Sequence, residues 1–183
     1  MKNTLIINLF GASGSGKSTT AYGLAYHLKK MGRSAEYINE YAKNKSWLKD
    51  FKTLKQQPYV FEKQVYYQTL PLNQVDFIIN DSPIILADFY GQIYSNPRCI
   101  PEWRTYAWAT FNGQNNVSFF LERNSEIPFE EVGRNQTSEE SMEHEEIMRK
   151  WLEDNSHLPV YLKSSKDTVK DILDYLTVHK YLE

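Results

Sequence analysis

Gly11-Ala12-Ser13-Gly14-Ser15-Gly16-Lys17-Ser18 is the stretch on which the reading of the fold turns. It fits the pattern G-x-x-x-x-G-K-[ST], and each fixed position meets a physical need. Glycines take up positive φ and let the backbone come close to a phosphate. Successive N–H groups through Ser13, Gly14, Ser15 and Gly16 then point the same way and form an anion nest. A helix opening near Lys17 adds the positive end of its dipole. Lys17 is expected to reach the β- and γ-phosphates of ATP, the Ser18 hydroxyl to bind Mg²⁺, and Thr19 to complete the nucleotide-binding run. Four fixed positions arise by chance in about 1 in 100 chains of this length. The flanks separate this match from chance, because a strand precedes it and a helix follows it, as the mechanism requires.

Working outward, apolar runs alternate with helical patterns. Thr4–Phe10 is almost uninterrupted by polar residues, as in a parallel strand covered on both faces. Lys17–Met31 is helical, with Ala21, Leu24, Ala25 and Leu28 on one face and Gly32 at a C′ position. Ala35–Asn39, Asp76–Asn80, Val117–Leu121 and Leu158–Leu162 read as four more strands. Helices are expected over Pro58–Leu70, Pro83–Tyr94, Glu102–Phe111, Glu139–Asn155 and from Asp167 to Leu176 or beyond, Asp167 serving as N-cap. The stretch 124–138 reads as a loop. Five short strands separated by helices imply an α/β domain with a parallel central sheet, and 183 residues suit one compact unit.

Composition sets bounds on function. A net charge of −2 gives no global field toward nucleic acid or anionic membrane. The single cysteine, Cys99, rules out a disulfide framework and a cysteine-rich metal site, and reads as a semi-buried or spare thiol in a reducing, cytoplasmic setting. Met1-Lys2-Asn3 with a short apolar run can open a signal peptide. Here the run ends in the glycine-rich stretch instead of a cleavage site, so a strand is expected. No run approaches the roughly 20 apolar residues of a membrane span.

Further residues at the carboxyl edge of such a sheet complete a candidate site. Asp81 ends the third strand and is placed to help hold Mg²⁺ or to meet an acceptor; alternatively it caps the next helix through Asp-Ser-Pro. Glu40 ends the second strand and is placed to take a proton from an acceptor hydroxyl, or is a solvated strand-end glutamate. Arg134, in Val132-Gly133-Arg134-Asn135, is placed to close over the γ-phosphate as part of a lid at about 124–138. The bland alternative is a surface arginine ahead of a capping sequence at Thr137 or Ser138. Arg123, just past the fourth strand, is a second cation for the nucleotide. Lys43, Lys45, Lys49, Lys52 and Lys55 surround Trp47 and Phe51. They read either as a solvated helix face over two core aromatics or as a surface for an anionic acceptor. The acidic run Glu139–Glu146 reads as solvated helix, and His144 within it has no ligand-spaced partner.

The order of these residues resembles the ribosylnicotinamide kinase domain of the bifunctional NadR proteins, and small phage-encoded P-loop kinases related to it. The likeness rests on the P-loop, Glu40-Tyr41, Gln64 and Tyr66 in a helix, Asp81, and Gly133-Arg134. It implies a five-stranded sheet of order 2-3-1-4-5, of the nucleoside monophosphate kinase type, with helices on both faces and a lid. It implies ATP and Mg²⁺ as cofactors, Ser18 and Asp81 at the metal, and Glu40, Tyr41, Lys43, Gln64 and Asp81 toward the acceptor. Ser82-Pro83 follows Asp81 in place of the Asp-Arg-type dipeptide of deoxynucleoside kinases, and no adenylyltransferase domain is present. The expected function is γ-phosphate transfer from ATP to a hydroxyl of a small nucleoside or nucleotide. One alternative is a kinase for a hydroxymethylated base, 5-hydroxymethyluracil, in phage DNA, acting in the host cytoplasm. Another is a non-kinase NTPase of AAA type, against which stands Ser82 where those enzymes usually carry an acid after the Walker-B aspartate.

Overall fold

The computed structural model describes residues 2–94, 96–124 and 137–182. Five strands form one sheet: β1 (Leu5–Phe10), β2 (Ala35–Ile38), β3 (Phe77–Asn80), β4 (Asn116–Glu122) and β5 (Val160–Lys163). Every pairing is parallel and the order is β2-β3-β1-β4-β5. This is the order that the resemblance implied. Around the sheet lie α1 (Lys17–Lys30), α2 (Tyr41–Trp47), α3 (Phe51–Leu54), α4 (Gln57–Thr69), α5 (Leu86–Ile93), α6 (Pro101–Asn112), α7 (Ser138–Asp154) and α8 (Thr168–Val178).

The central strand shows why its sequence has so few polar interruptions. Side chains alternate between faces along a strand. Leu5, Ile7 and Leu9 pack with Ala21, Leu24 and Leu28 of α1 and with Ile172 and Leu176 of α8. Phe10 points the other way, into a second core of Phe120 from β4 and Phe61, Phe89, Phe111, Met148, Trp151 and Leu152 from α4 to α7. Both faces of β1 are thus buried, and an alternating pattern would have left one face wet.

The second core is organised around a buried acid. Asp88 of α5 is fully buried. It accepts from Arg104 Nε at 2.7 Å, from the indole N–H groups of Trp108 and Trp151 at 3.1 and 3.2 Å, and from Gln92 Nε2 at 3.0 Å. One carboxylate therefore ties α5 to α6 and α7. Beside it, the Cys99 side chain packs on Gly91, and burial pushes the thiol up to about 11. Cys99 is the half-buried thiol that the composition suggested.

Several expectations need correction. The helix after Pro83 begins only at Leu86; its N-cap is Ile85, with no side-chain bond, so Asp81 does not cap it. Asp167 sits at the N-cap of α8, but its side chain makes no capping bond. Thr168 Oγ1 closes that turn instead, accepting from Ser165 N–H at 2.8 Å. The chain between β2 and α4, read from the sequence either as a solvated helix face or as a surface for an anionic acceptor, holds two short helices, α2 and α3. Trp47 and Phe51 there are not core residues: they are 58 % and 50 % exposed. In α4 aromatic and amide side chains divide against the usual pattern of burial. Tyr59 and Tyr66 are exposed while Gln57, Gln64 and Gln68 are buried. By contrast Thr137 caps α7 as expected, in a capping box with Glu140.

Candidate active site

The P-loop is held open by its own backbone requirements and by two serines. Gly11 has φ +135°, and a Cβ there would fall 2.5 Å from the Leu121 carbonyl oxygen and 2.6 Å from Ser15 Oγ. Gly16, at the N-cap of α1, has φ +83° and leaves the N-terminus of the helix without a side-chain cap. The first N–H groups of α1 thus remain available to an anion. From outside, Ser164 Oγ donates to the Ser15 carbonyl at 2.6 Å and Ser141 Oγ donates to the Ser13 carbonyl. Within the loop, Ser15 N–H donates to the Ala12 carbonyl at 3.3 Å, and the other N–H groups are those that an anion nest would offer. Lys17 donates to the carbonyls of Gly11 at 2.8 Å and Ala12 at 2.7 Å, so its ammonium braces the loop it serves.

Ser18 and Asp81 meet although 63 residues separate them. Ser18 Oγ donates to Asp81 Oδ2 at 2.5 Å. The parallel pairing of β1 with β3 brings this about: Asn8 lies opposite Asn80, so both strands deliver their next residues to the same carboxyl edge. The same oxygen accepts from the Tyr37 hydroxyl at 2.8 Å. Burial, and then the neighbouring Asp81 carboxylate, hold the Tyr37 hydroxyl far above the usual phenol range, so it stays a donor. Asp81 is only 2 % exposed, and its Oδ1 is buried with no protein partner; Ser15 Oγ in the loop is likewise buried and unpartnered. A hydroxyl, a carboxylate and an orphaned carboxylate oxygen beside an anion nest form the donor set of a magnesium ion carried by a phosphate chain. The residues therefore fit Mg²⁺ with ATP.

Glu40 stands at the N-cap of α2, two residues past the end of β2, partly exposed, and close enough to act electrostatically on Tyr37. Glu40, Tyr37, Asp81 and Ser18 thus share one edge. Tyr41 and Gln64 come together with each other: Gln64 Oε1 accepts from Tyr41 N–H at 3.0 Å, and its amide N–H lies 3.4 Å from the Asn39 carbonyl. The Tyr41 ring is buried against Tyr59 and Tyr67. Both therefore shape the turn that carries Glu40. Lys43 is exposed on α2. Arg123 lies just past β4 at the carboxyl edge, and its backbone N–H donates to Glu145. Arg134 and most of the expected lid lie outside the described residues. Among the described residues no group of three or more His, Cys, Asp and Glu side chains, around His144 or elsewhere, is placed to hold a metal ion, and no helix is long and apolar enough to cross a membrane.

Three residues of this site were not found from the sequence. Ser141 carried no signal, being one polar residue in an acidic helix. Ser164 and Tyr37 carried a positional one, since each lies at or near the carboxyl end of a strand in a sheet whose ligand edge was already known.

The fold recurs in solved structures. The deoxyadenosine kinase from M. mycoides with bound dATP superposes with a TM-score of 0.60 at 17 % identity, covering 94 % of this chain and 99 % of that one. Shikimate kinase from Acinetobacter baumannii, in complex with shikimate, gives 0.57 at 14 % identity, covering 98 % and 96 %. NadR protein in complex with NR gives 0.63 at 14 % identity, covering 98 % of this chain and 51 % of that one. No curated protein matches the sequence. These structural neighbours include P-loop kinases of a nucleoside and of a small metabolite, and at such identities they show the fold that is shared. The sequence itself matches the family described as AAA domain over residues 6–169, nearly its full length, and the chain belongs to that family.

Proposed function

We propose that the chain transfers the γ-phosphate of ATP to a hydroxyl of a nucleoside or nucleotide. The observation that carries this reading is the Ser18–Asp81 hydrogen bond at the mouth of the P-loop, with Glu40 on the same edge. Ser18 and Asp81 would hold Mg²⁺, which when bound neutralises charge on the phosphate chain and orients it. The loop N–H groups bind the phosphates, and Lys17 stabilises charge on the moving phosphoryl group.

The two carboxylates divide the work by access. Asp81 Oδ2 already accepts from two hydroxyls, and the residue is almost wholly buried. An acceptor hydroxyl has a route to Glu40, which is partly exposed. In this reading the acceptor hydroxyl gives its proton to Glu40 as its oxygen bonds to Pγ. The bond from Pγ to the β,γ-bridging oxygen breaks, and ADP leaves. Glu40→Gln is accordingly expected to lower kcat by roughly 10²-fold or more and to leave ATP affinity unchanged. Turnover with γ-labelled ATP, screened over nucleosides, nucleotides, ribosylnicotinamide and DNA with modified bases, identifies the acceptor. Calorimetry of ATP binding gives the second quantity. Weakened ATP binding at unchanged turnover would put Glu40 on the wrong side of the reaction.

A second reading, a base within nucleic acid as acceptor, draws on the exposure of Trp47, Leu48 and Phe51. These apolar side chains stand among the exposed Lys43, Lys49, Lys52 and Lys55, on and directly after the helix that Glu40 opens. Aromatics interleaved with lysines suit an unpaired strand, and a base must leave its stack to enter a kinase pocket. The two acceptors differ in salt dependence. For DNA, log affinity falls steeply with log salt, and Lys49→Ala with Lys52→Ala flattens the slope by about 0.7 to 0.9 for each phosphate that is no longer neutralised. For a free nucleoside, the acceptor KM is expected to be nearly the same at low and high salt, with or without those lysines.

A further inference from the structure

The Asp81 carboxylate receives two hydroxyl donors on one oxygen, from helix α1 and from strand β2. Ser18 accounts for the first. The second, from Tyr37, belongs to no part of the P-loop motif, and it bridges the edge strand to the end of β3. A carboxylate rotates about a soft, two-fold torsion, so its two oxygens exchange unless something distinguishes them. Two donors fixed on Oδ2 do this and leave Oδ1 as the oxygen without a protein partner. Tyr37 is itself held: its ring lies 4.7 Å from that of Tyr22, on the turn of α1 that follows Ser18. The hydroxyl is therefore aimed by packing.

We propose that Tyr37 is a positioning residue, whose hydroxyl fixes the Asp81 carboxylate so that Asp81 and Ser18 together present a formed site to the metal carried by the nucleotide. The proposal rests on the reading of Ser18 and Asp81 as the metal-holding pair. Hydrogen bonds to a metal-ligating group from outside the coordination shell commonly alter metal affinity by about 10–100-fold when removed. Tyr37 touches neither phosphate nor acceptor in this account. Its effect passes through Asp81 alone.

The test compares binding of a non-hydrolysable ATP analogue in two media, one with Mg²⁺ and one with EDTA, by titration calorimetry. The ratio of the two affinities measures how well the protein uses the metal. Tyr37→Phe keeps the ring and its packing on Tyr22. It is expected to reduce this ratio by roughly tenfold relative to wild type and to leave the metal-free affinity unchanged. Tyr22→Phe, which removes a hydroxyl not bonded to Asp81, is expected to behave as wild type. An unchanged ratio in Tyr37→Phe overturns the positioning role while leaving the kinase reading intact. Equal losses in both media overturn it too, because they show a merely structural tyrosine. A wild-type protein whose analogue binding is indifferent to Mg²⁺ overturns the metal-holding pair itself, and the role of Tyr37 with it.

Discussion

Lys17→Ala is expected to lower phosphoryl transfer by at least about a hundredfold, the usual loss when a charge-stabilising donor is removed from a transferring group. Lys17 also braces the loop through the carbonyls of Gly11 and Ala12, so its removal has a structural part. The two parts separate in the kinetics. A loosened loop weakens nucleotide binding in the ground state, whereas the absence of a cation on the moving phosphate lowers kcat. The loop keeps its other supports, from Ser141, Ser164 and the glycine geometry. The larger effect is therefore expected in kcat, with ATP affinity changed by much less. A variant retaining more than about a tenth of the wild-type rate would remove Lys17 from the chemistry.

The contrast between what the sequence showed and what it hid has a physical pattern. The P-loop was legible because its function is performed by backbone, and only particular residues permit that backbone: Gly11 cannot carry a Cβ beside the Leu121 carbonyl. The strands were legible because β1 and β3 are buried on both faces and so read as apolar runs. Asp81 could be placed at the site because the end of a parallel strand fixes where the next residue goes. The resemblance added the strand order, which apolar runs do not contain.

What stayed hidden depends on pairings between distant residues. In one of their two readings Trp47 and Phe51 are core aromatics, because aromatics are usually buried. The short helix α3 buries no side chain and α2 buries Tyr41 alone, so both aromatics stand exposed. Gln57, Gln64 and Gln68 are buried, although glutamines are mostly exposed. Gln68 Oε1 there accepts from Asn80 at 2.6 Å, and Gln64 secures the turn before α2. A glutamine whose partner comes from another element leaves no periodic trace. The same is true of Tyr37, whose role becomes visible only when β2 and β3 lie side by side in register.

Asp88 shows the same blindness at its largest energetic scale. In sequence it is one acid in an apolar helix, Leu86-Ala87-Asp88-Phe89, with nothing to mark it. In the fold it is the common acceptor for Arg104, Trp108, Trp151 and Gln92. Asp88→Ala leaves the guanidinium without its carboxylate and two indole N–H groups without their acceptor. Arg104 is 35 % exposed and keeps access to water, so the cost comes chiefly from indole N–H groups left without an acceptor, about 1–3 kcal/mol for each that stays buried. That is a large share of the roughly 5–15 kcal/mol that holds a domain folded. The urea midpoint is therefore expected to fall sharply at an unchanged slope, since the surface exposed on unfolding is the same. Asp88→Asn keeps an acceptor oxygen for the indoles and loses the charge, so its midpoint is expected between alanine and wild type. Both variants, assayed well below their midpoints, are expected to keep the wild-type ratio of Mg²⁺-dependent to Mg²⁺-independent nucleotide affinity, because Asp88 serves the helices behind the sheet and touches none of Ser18, Tyr37 or Asp81. A stability within about 1 kcal/mol of wild type for the alanine variant would mean that Arg104 and the two indoles find water or other acceptors, and that the buried acid is not what ties α5, α6 and α7 together.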